Sequence, residues 1–139
     1  MSYEITFEHL LKVDSGKSGI ALPVTLKAGD QTLDFDAKLD TGATYCIFQR
    51  FYGEELGLTV EAGELLTFST ATGDFQAYGH WLTVSIAGMD FESLVYFARD
   101  HFFNRNVIGR IGFLNRVRLG LDDYAGKLYL GHNDIEETS

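Results

Sequence analysis

The sequence predicts an all-β fold, a closed or folded-over domain of short strands with one or two short helices. Three observations carry that expectation. Leu33, Phe35, Ala37 and Leu39 alternate with Asp34, Asp36, Lys38 and Asp40, and a period of two is what a strand shows when one face is buried and the other wet. Apolar runs recur on either side of Gly-containing turn sequences, the pattern of hairpins. Helical periodicity is confined to two brief stretches, so the apolar residues have little helix to bury against and strands must cover one another.

Along the chain, residues 20–26 read as a strand, and Ala28-Gly29-Asp30 reads as the turn that returns it into the alternating strand ending at Asp40. Residues 49–56 are a helix candidate. Residues 81–86 place Leu82, Val84 and Ile86 on one face, and Ala87-Gly88-Met89-Asp90 turns the chain into a strand over 91–97. A turn or two of helix is expected over 112–117. Val117, Leu119 and Leu121 then form a strand, Asp122-Asp123-Tyr124-Ala125-Gly126 a turn, and 127–130 a returning strand. Residues 133–139 read as a frayed tail.

With 139 residues, 45% of them apolar and 14% aromatic, the chain can fill one packed interior. One domain over 1–139 is expected, its core at about 20–130. Eleven Lys and Arg stand against 20 Asp and Glu, a net charge of -9. That balance opposes nucleic acid and anionic membrane as partners, since both attract positive charge. The single cysteine, Cys46, excludes an intrachain disulfide and fits a reducing compartment. Residues 1–9 carry Glu4 and Glu8 and lack the pattern of a signal peptide, and no apolar run is long enough to span a bilayer. A cytoplasmic protein is expected.

The alternating strand runs directly into Asp40-Thr41-Gly42, followed by Ala43 and Thr44. Downstream, Asn106-Val107-Ile108-Gly109-Arg110 holds two apolar residues, then Gly and Arg. The two segments together resemble the retropepsin-like (retroviral-type) aspartic protease family, in particular its bacterial single-domain members. Gly112-Phe113-Leu114 and the terminal strands extend the likeness. The resemblance implies a retropepsin-like barrel that assembles as a two-fold homodimer, with Asp40, Thr41 and Gly42 forming half of a catalytic site. Thr41 would bond across to the partner's loop. Val107, Gly109 and Arg110 would belong to a structural segment that the Asp loop crosses, and a side chain at Gly109 would collide with that loop.

A peptidase of this type also needs a cover that excludes water. The best candidate is a hairpin flap over 67–78 with its tip at Thr70-Ala71-Thr72-Gly73 and with Phe68, Phe75 and Tyr78 against the body. Ala43, Thr72, Gly73 and Ile108 are the expected substrate-binding residues. One departure stands out: where retroviral members commonly carry an Asp that pairs with the Arg of the second segment, this chain has Thr44. Arg110 must find another partner.

The chemistry of such a site needs two carboxylates. Held about 3 Å apart in a partly dry cleft they cannot both ionise, so one acts as base toward a water and the other as acid toward the scissile carbonyl. No metal, cofactor or covalent adduct is required. This chain carries one such triplet, and Val107-Ile108-Gly109 brings no Asp, so only a second copy can complete the site. The expected partners are therefore a second copy and an extended peptide held by main-chain bonds. The alternative is a non-catalytic peptide-binding or assembly module of the same fold.

Other features read more plainly. Ser15-Gly16-Lys17-Ser18 has the end of a phosphate-binding loop, but the first Gly of that loop would fall at Leu11. His9, His80, His101 and His132 show no metal-ligand spacing with Cys46 and read as surface or satisfied histidines. Cys46 itself reads as a small buried apolar residue.

Overall fold

The structure is a computed structural model and describes residues 1–14 and 16–133. The expected tail lies outside the described residues beyond Asn133. Among the described residues ten strands are seen: β1 (His9–Lys12), β2 (Ala21–Ala28), β3 (Gln31–Leu39), β4 (Ile47–Phe48), β5 (Glu64–Thr70), β6 (Gly73–Ile86), β7 (Met89–Ala98), β8 (Val107–Ile108), β9 (Val117–Asp122) and β10 (Lys127–His132). The helix expected over 49–56 is α1 (Arg50–Glu55), and single helical turns occupy Val60–Ala62 and Leu114–Arg116.

Strands β2, β3, β8, β4, β7 and β6 pair in that order, and β6 pairs back with β2 through Thr25↔Ser85 and its neighbours. Six strands of the sheet therefore close into a ring, and β5 hangs from β6 outside it. The alternating segment behaves as its pattern requires: Ala37 is buried and Leu33, Phe35 and Leu39 are half-buried, whereas Asp34, Asp36 and Lys38 face water. Two expectations are corrected at the hairpins. Met89 and Asp90 belong to β7, because the turn needs only Ala87 and Gly88. The strand expected over 81–86 begins at Gly73, so flap and barrel share one 14-residue strand.

That sharing decides where the flap sits. Along one edge β6 pairs with β7 from Ala77 to Ile86; along the other it pairs with β5 from Gly73 to Gly79 and then with β2. Residues 73–75 therefore overhang the barrel with β5 as their companion, whereas the Gln76 carbonyl still accepts from Arg99 N–H just past β7.

The main core gathers Leu22, Val24 and Leu26 of β2, Val84 and Ile86 of β6, Phe97 of β7, and Phe48, Ile108 and Phe113. Leu128 and Leu130 of β10 enter the same cluster, so the three-stranded sheet β1-β10-β9 packs on the ring. Phe35 stacks on Tyr52 at 4.3 Å between ring centres and meets Phe48 edge-on at 5.1 Å, seating α1 on the barrel. Arg50 pairs with Glu54 at 2.9 Å and Glu61 at 2.7 Å and donates to the Arg99 carbonyl at 3.1 Å. The guanidinium holds the Glu61 carboxyl below the usual carboxylate range. It also fastens the end of β7, where the chain leaves for residues 99–106.

Candidate active site

Asp40 follows the last residue of β3, and its position is set by backbone pairing. The two-residue strand β8 slots between β3, parallel to it, and β4, antiparallel to it. Lys38 N–H donates to the Asn106 carbonyl at 2.8 Å and Asp40 N–H to the Ile108 carbonyl at 2.9 Å. The chain then turns tightly: Gly42 N–H donates to Asp40 Oδ1 at 2.8 Å and Ala43 N–H to the Asp40 carbonyl at 3.1 Å. One carboxylate oxygen is thus oriented by its own loop.

Past the turn the loop crosses the second segment. Arg110 N–H donates to the Ala43 carbonyl at 2.9 Å and Ile111 N–H to the Thr44 carbonyl at 2.7 Å. At the crossing a Cβ on Gly109 would lie 2.4 Å from the Tyr45 carbonyl oxygen and 2.6 Å from that of Ala43. Both are backbone atoms and cannot swing aside, so the requirement for Gly109 is steric. Gly109 N–H points at the Cys46 sulfur at 3.4 Å. Burial pushes that thiol up from 9.0 to about 11, against a smaller lowering by the Gly109 N–H, so Cys46 is a neutral packing group at ordinary pH. Ser93 Oγ donates to the Gly112 carbonyl at 2.7 Å and ties β7 to the same segment.

In front of the loop stands the hairpin of β5 and β6. Its tip turns at Ala71 and Thr72, where the Thr70 hydroxyl donates to the Gly73 carbonyl at 2.6 Å. Gly73 adopts φ 135, a conformation that a side chain would resist. Cross-strand partners Phe68 and Phe75 stack at 5.0 Å. Phe68 meets Tyr45 at 5.8 Å and Tyr96 at 5.6 Å, while Phe75 meets Phe103 at 5.0 Å. These rings form a second, smaller cluster with Ile47 and Ala77.

Loop, flap and the segment before β8 enclose a cavity of about 250 Å³, lined by Asp40, Gly42, Ala43 and Thr44, by Phe68, Ser69, Thr70 and Phe75 of the flap, and by Tyr45, Ile47, Phe103, Arg105 and Val107. A second depression of about 360 Å³ shares Asp40, Arg105 and Val107 with it. Asp40, Thr41, Gly42 and Thr44 are exposed, and the Thr41 hydroxyl bonds to no described residue.

Several expected residues therefore converge, and several do not. Asp40, Gly42 and Ala43 meet at the cavity. Ile108, expected as a wall, is 1% exposed in the main core, and Val107, expected in the structural segment beside the site, faces the cavity. Successive residues of a strand point to opposite faces, so the expectation was out by one residue. Thr72 and Gly73 lie at the flap tip and line neither depression; Ser69 and Thr70 do that instead. Arg110 is exposed, and no described carboxylate pairs with it. Phe103 and Arg105 were missed, although they share the odd-number parity of Val107.

No protein-family model matches the sequence, and no curated protein matches it. Among solved structures, the chain is similar to a retropepsin-like aspartic protease from Rickettsia conorii, with a TM-score of 0.62 and 17% identity over 91% of this chain and 99% of that one. At that identity the likeness is one of fold: the chain has an all-β, retropepsin-like fold. Among the described residues no helix is long and apolar enough to cross a membrane.

Proposed function

We propose that two copies of this chain form one aspartic endopeptidase, with Asp40 of each copy contributing to a single site on the two-fold axis. The observation that carries this reading is the junction of two features. The Asp40-Thr41-Gly42 turn is bolted to Val107-Ile108-Gly109 by backbone hydrogen bonds, and it opens on a cavity roofed by a hairpin. Asp40 is open to solvent in the single chain, which leaves room for a second loop to approach. A water held between the two carboxylates loses its proton to the charged one, while the protonated one donates to the scissile carbonyl oxygen. Thr41, whose hydroxyl has no partner among the described residues, would bond across the axis, and Gly42 would let substrate backbone come close.

Ala43 and Val107 would contact substrate side chains, and the flap tip, with Thr72 and Gly73, would close over the peptide backbone. A peptide substrate and a second copy are the partners this reading names, and the lone buried thiol suits a cytoplasmic setting. Digestion of a diverse peptide library tests it. Discrete cuts that fall about a thousandfold in Asp40→Asn, with circular dichroism unchanged, are expected. Cleavage at the full rate in Asp40→Asn overturns the mechanism, and peptide binding without cuts replaces it with a non-catalytic module. Sedimentation at micromolar concentration with a peptide-like inhibitor should show a dimer.

A further inference from the structure

Residues 103, 105 and 107 all line the cavity beside Asp40, so this stretch presents alternate side chains to it as a strand would. Two of the three are apolar. The third, Arg105, is exposed, with its guanidinium 5.5 Å from the centre of the Phe103 ring, within reach of a cation–π contact. That contact steadies the flat group at the cavity rim while leaving its N–H donors available.

The other arginines distinguish it. Arg50, Arg99, Arg116 and Arg118 each donate hydrogen bonds within the chain, and Arg110 lines neither depression. Arg105 pairs with no described carboxylate, and Asp40 lies beyond ion-pair distance of it. In the cavity of about 250 Å³ these two are the charged residues. On a chain of net charge -9, a cation facing a cavity with no described residue accepting from its donors is a local reversal of the surface field.

Building on the peptidase reading, we infer that Arg105 gives the site a preference for peptides with an acidic side chain beside the scissile bond. The stem of a Glu would lie against Phe103 and Val107, and its carboxylate would accept from the guanidinium in a charge-assisted pair. The neighbouring subsites, walled by Phe68 and Phe75, would take apolar groups.

Paired peptides differing by Glu against Gln at each position flanking the cut test this. In the wild type the Glu member should be cleaved with a kcat/KM about fivefold higher, a ratio that shrinks as salt is raised toward about 1 M. Arg105→Gln should bring the ratio to one, and Arg105→Glu should invert it in favour of the Gln member. Lys17→Glu, which changes net charge equally on an exposed turn, should leave it intact. An unchanged ratio in Arg105→Glu, or an equal loss on acidic and neutral peptides alike, overturns the inference. Binding of the same pairs to Asp40→Asn, read by fluorescence anisotropy, separates the two readings. A charge preference there that inverts with Arg105→Glu upholds the subsite even if no peptide is cut, and a preference indifferent to Arg105 overturns it even if peptides are cut.

Discussion

The crossing of residues 40–46 over 107–111 is stitched by main-chain hydrogen bonds of 2.9, 2.9 and 2.7 Å, whereas the hairpin facing it leans on the barrel through rings. Phe68, Phe75, Tyr45, Tyr96 and Phe103 meet at 5.0 to 5.8 Å. Backbone pairing at the crossing leaves no room for an added Cβ and admits a single geometry. Stacked rings can slide and part at modest cost, since each aromatic pair adds only about 0.5–1.5 kcal/mol beyond its buried area. On the proposed peptidase reading the two sides suit different tasks: a carboxylate would be held still, and a cover would open for an extended peptide. The shared strand β6 lets both exist in one small molecule, because its barrel half is locked between β7 and β2 while its other half overhangs.

The contrast can be broken most severely at Gly109. Gly109→Ala forces a methyl onto two backbone carbonyls, and a loss of about 3 kcal/mol or more is expected, read as a lower urea midpoint together with loss of peptide cleavage. A chain that kept its midpoint would show the crossing to be as adaptable as the flap.

The next effect comes from Cys46. Its thiol is raised from 9.0 to about 11 in the fold, so the stabilisation is whole below about pH 9 and drains away as pH climbs to about 11, where the unfolded chain ionises more readily. Up to about 2–3 kcal/mol is at stake. Denaturant midpoints measured from pH 8 to 11 should fall more steeply in the wild type than in Cys46→Ala, and parallel curves would contradict this.

Phe68→Ala sharpens the comparison from the other side. It removes a half-buried ring and should cost about 2 kcal/mol, but the loss should be local. Hydrogen exchange should quicken at the amides of 66–78 and stay slow at Asp40, Arg110 and Ile111, and uniform quickening would mean that flap and crossing open as one unit.

Much of this was legible before folding because it is local. The alternation from Leu33 to Asp40 states which side chains face water, and the hairpin turns after β2 and β6 and the flap tip lie where Gly and small residues stand. The collision at Gly109 was expected from the resemblance carried by Val107-Ile108-Gly109. Strands β4 and β8, two residues each, were not legible as strands, since so short a run has no period to read. Strand β1 was missed because its worth lies in pairing with β10, more than 110 residues away.

What the sequence by itself determined, then, is the strand that carries Asp40, dictated by side-chain period within a few residues; the need for Gly109 came with the family resemblance, and its cause is contact with the distant Ala43 and Tyr45 carbonyls. What only the tertiary structure decided is facing. Val107 rather than Ile108 meets the cavity, and Phe103 and Arg105 come with it, because register is set by the partners a strand finds, and a shift of one residue exchanges every side chain between core and cleft.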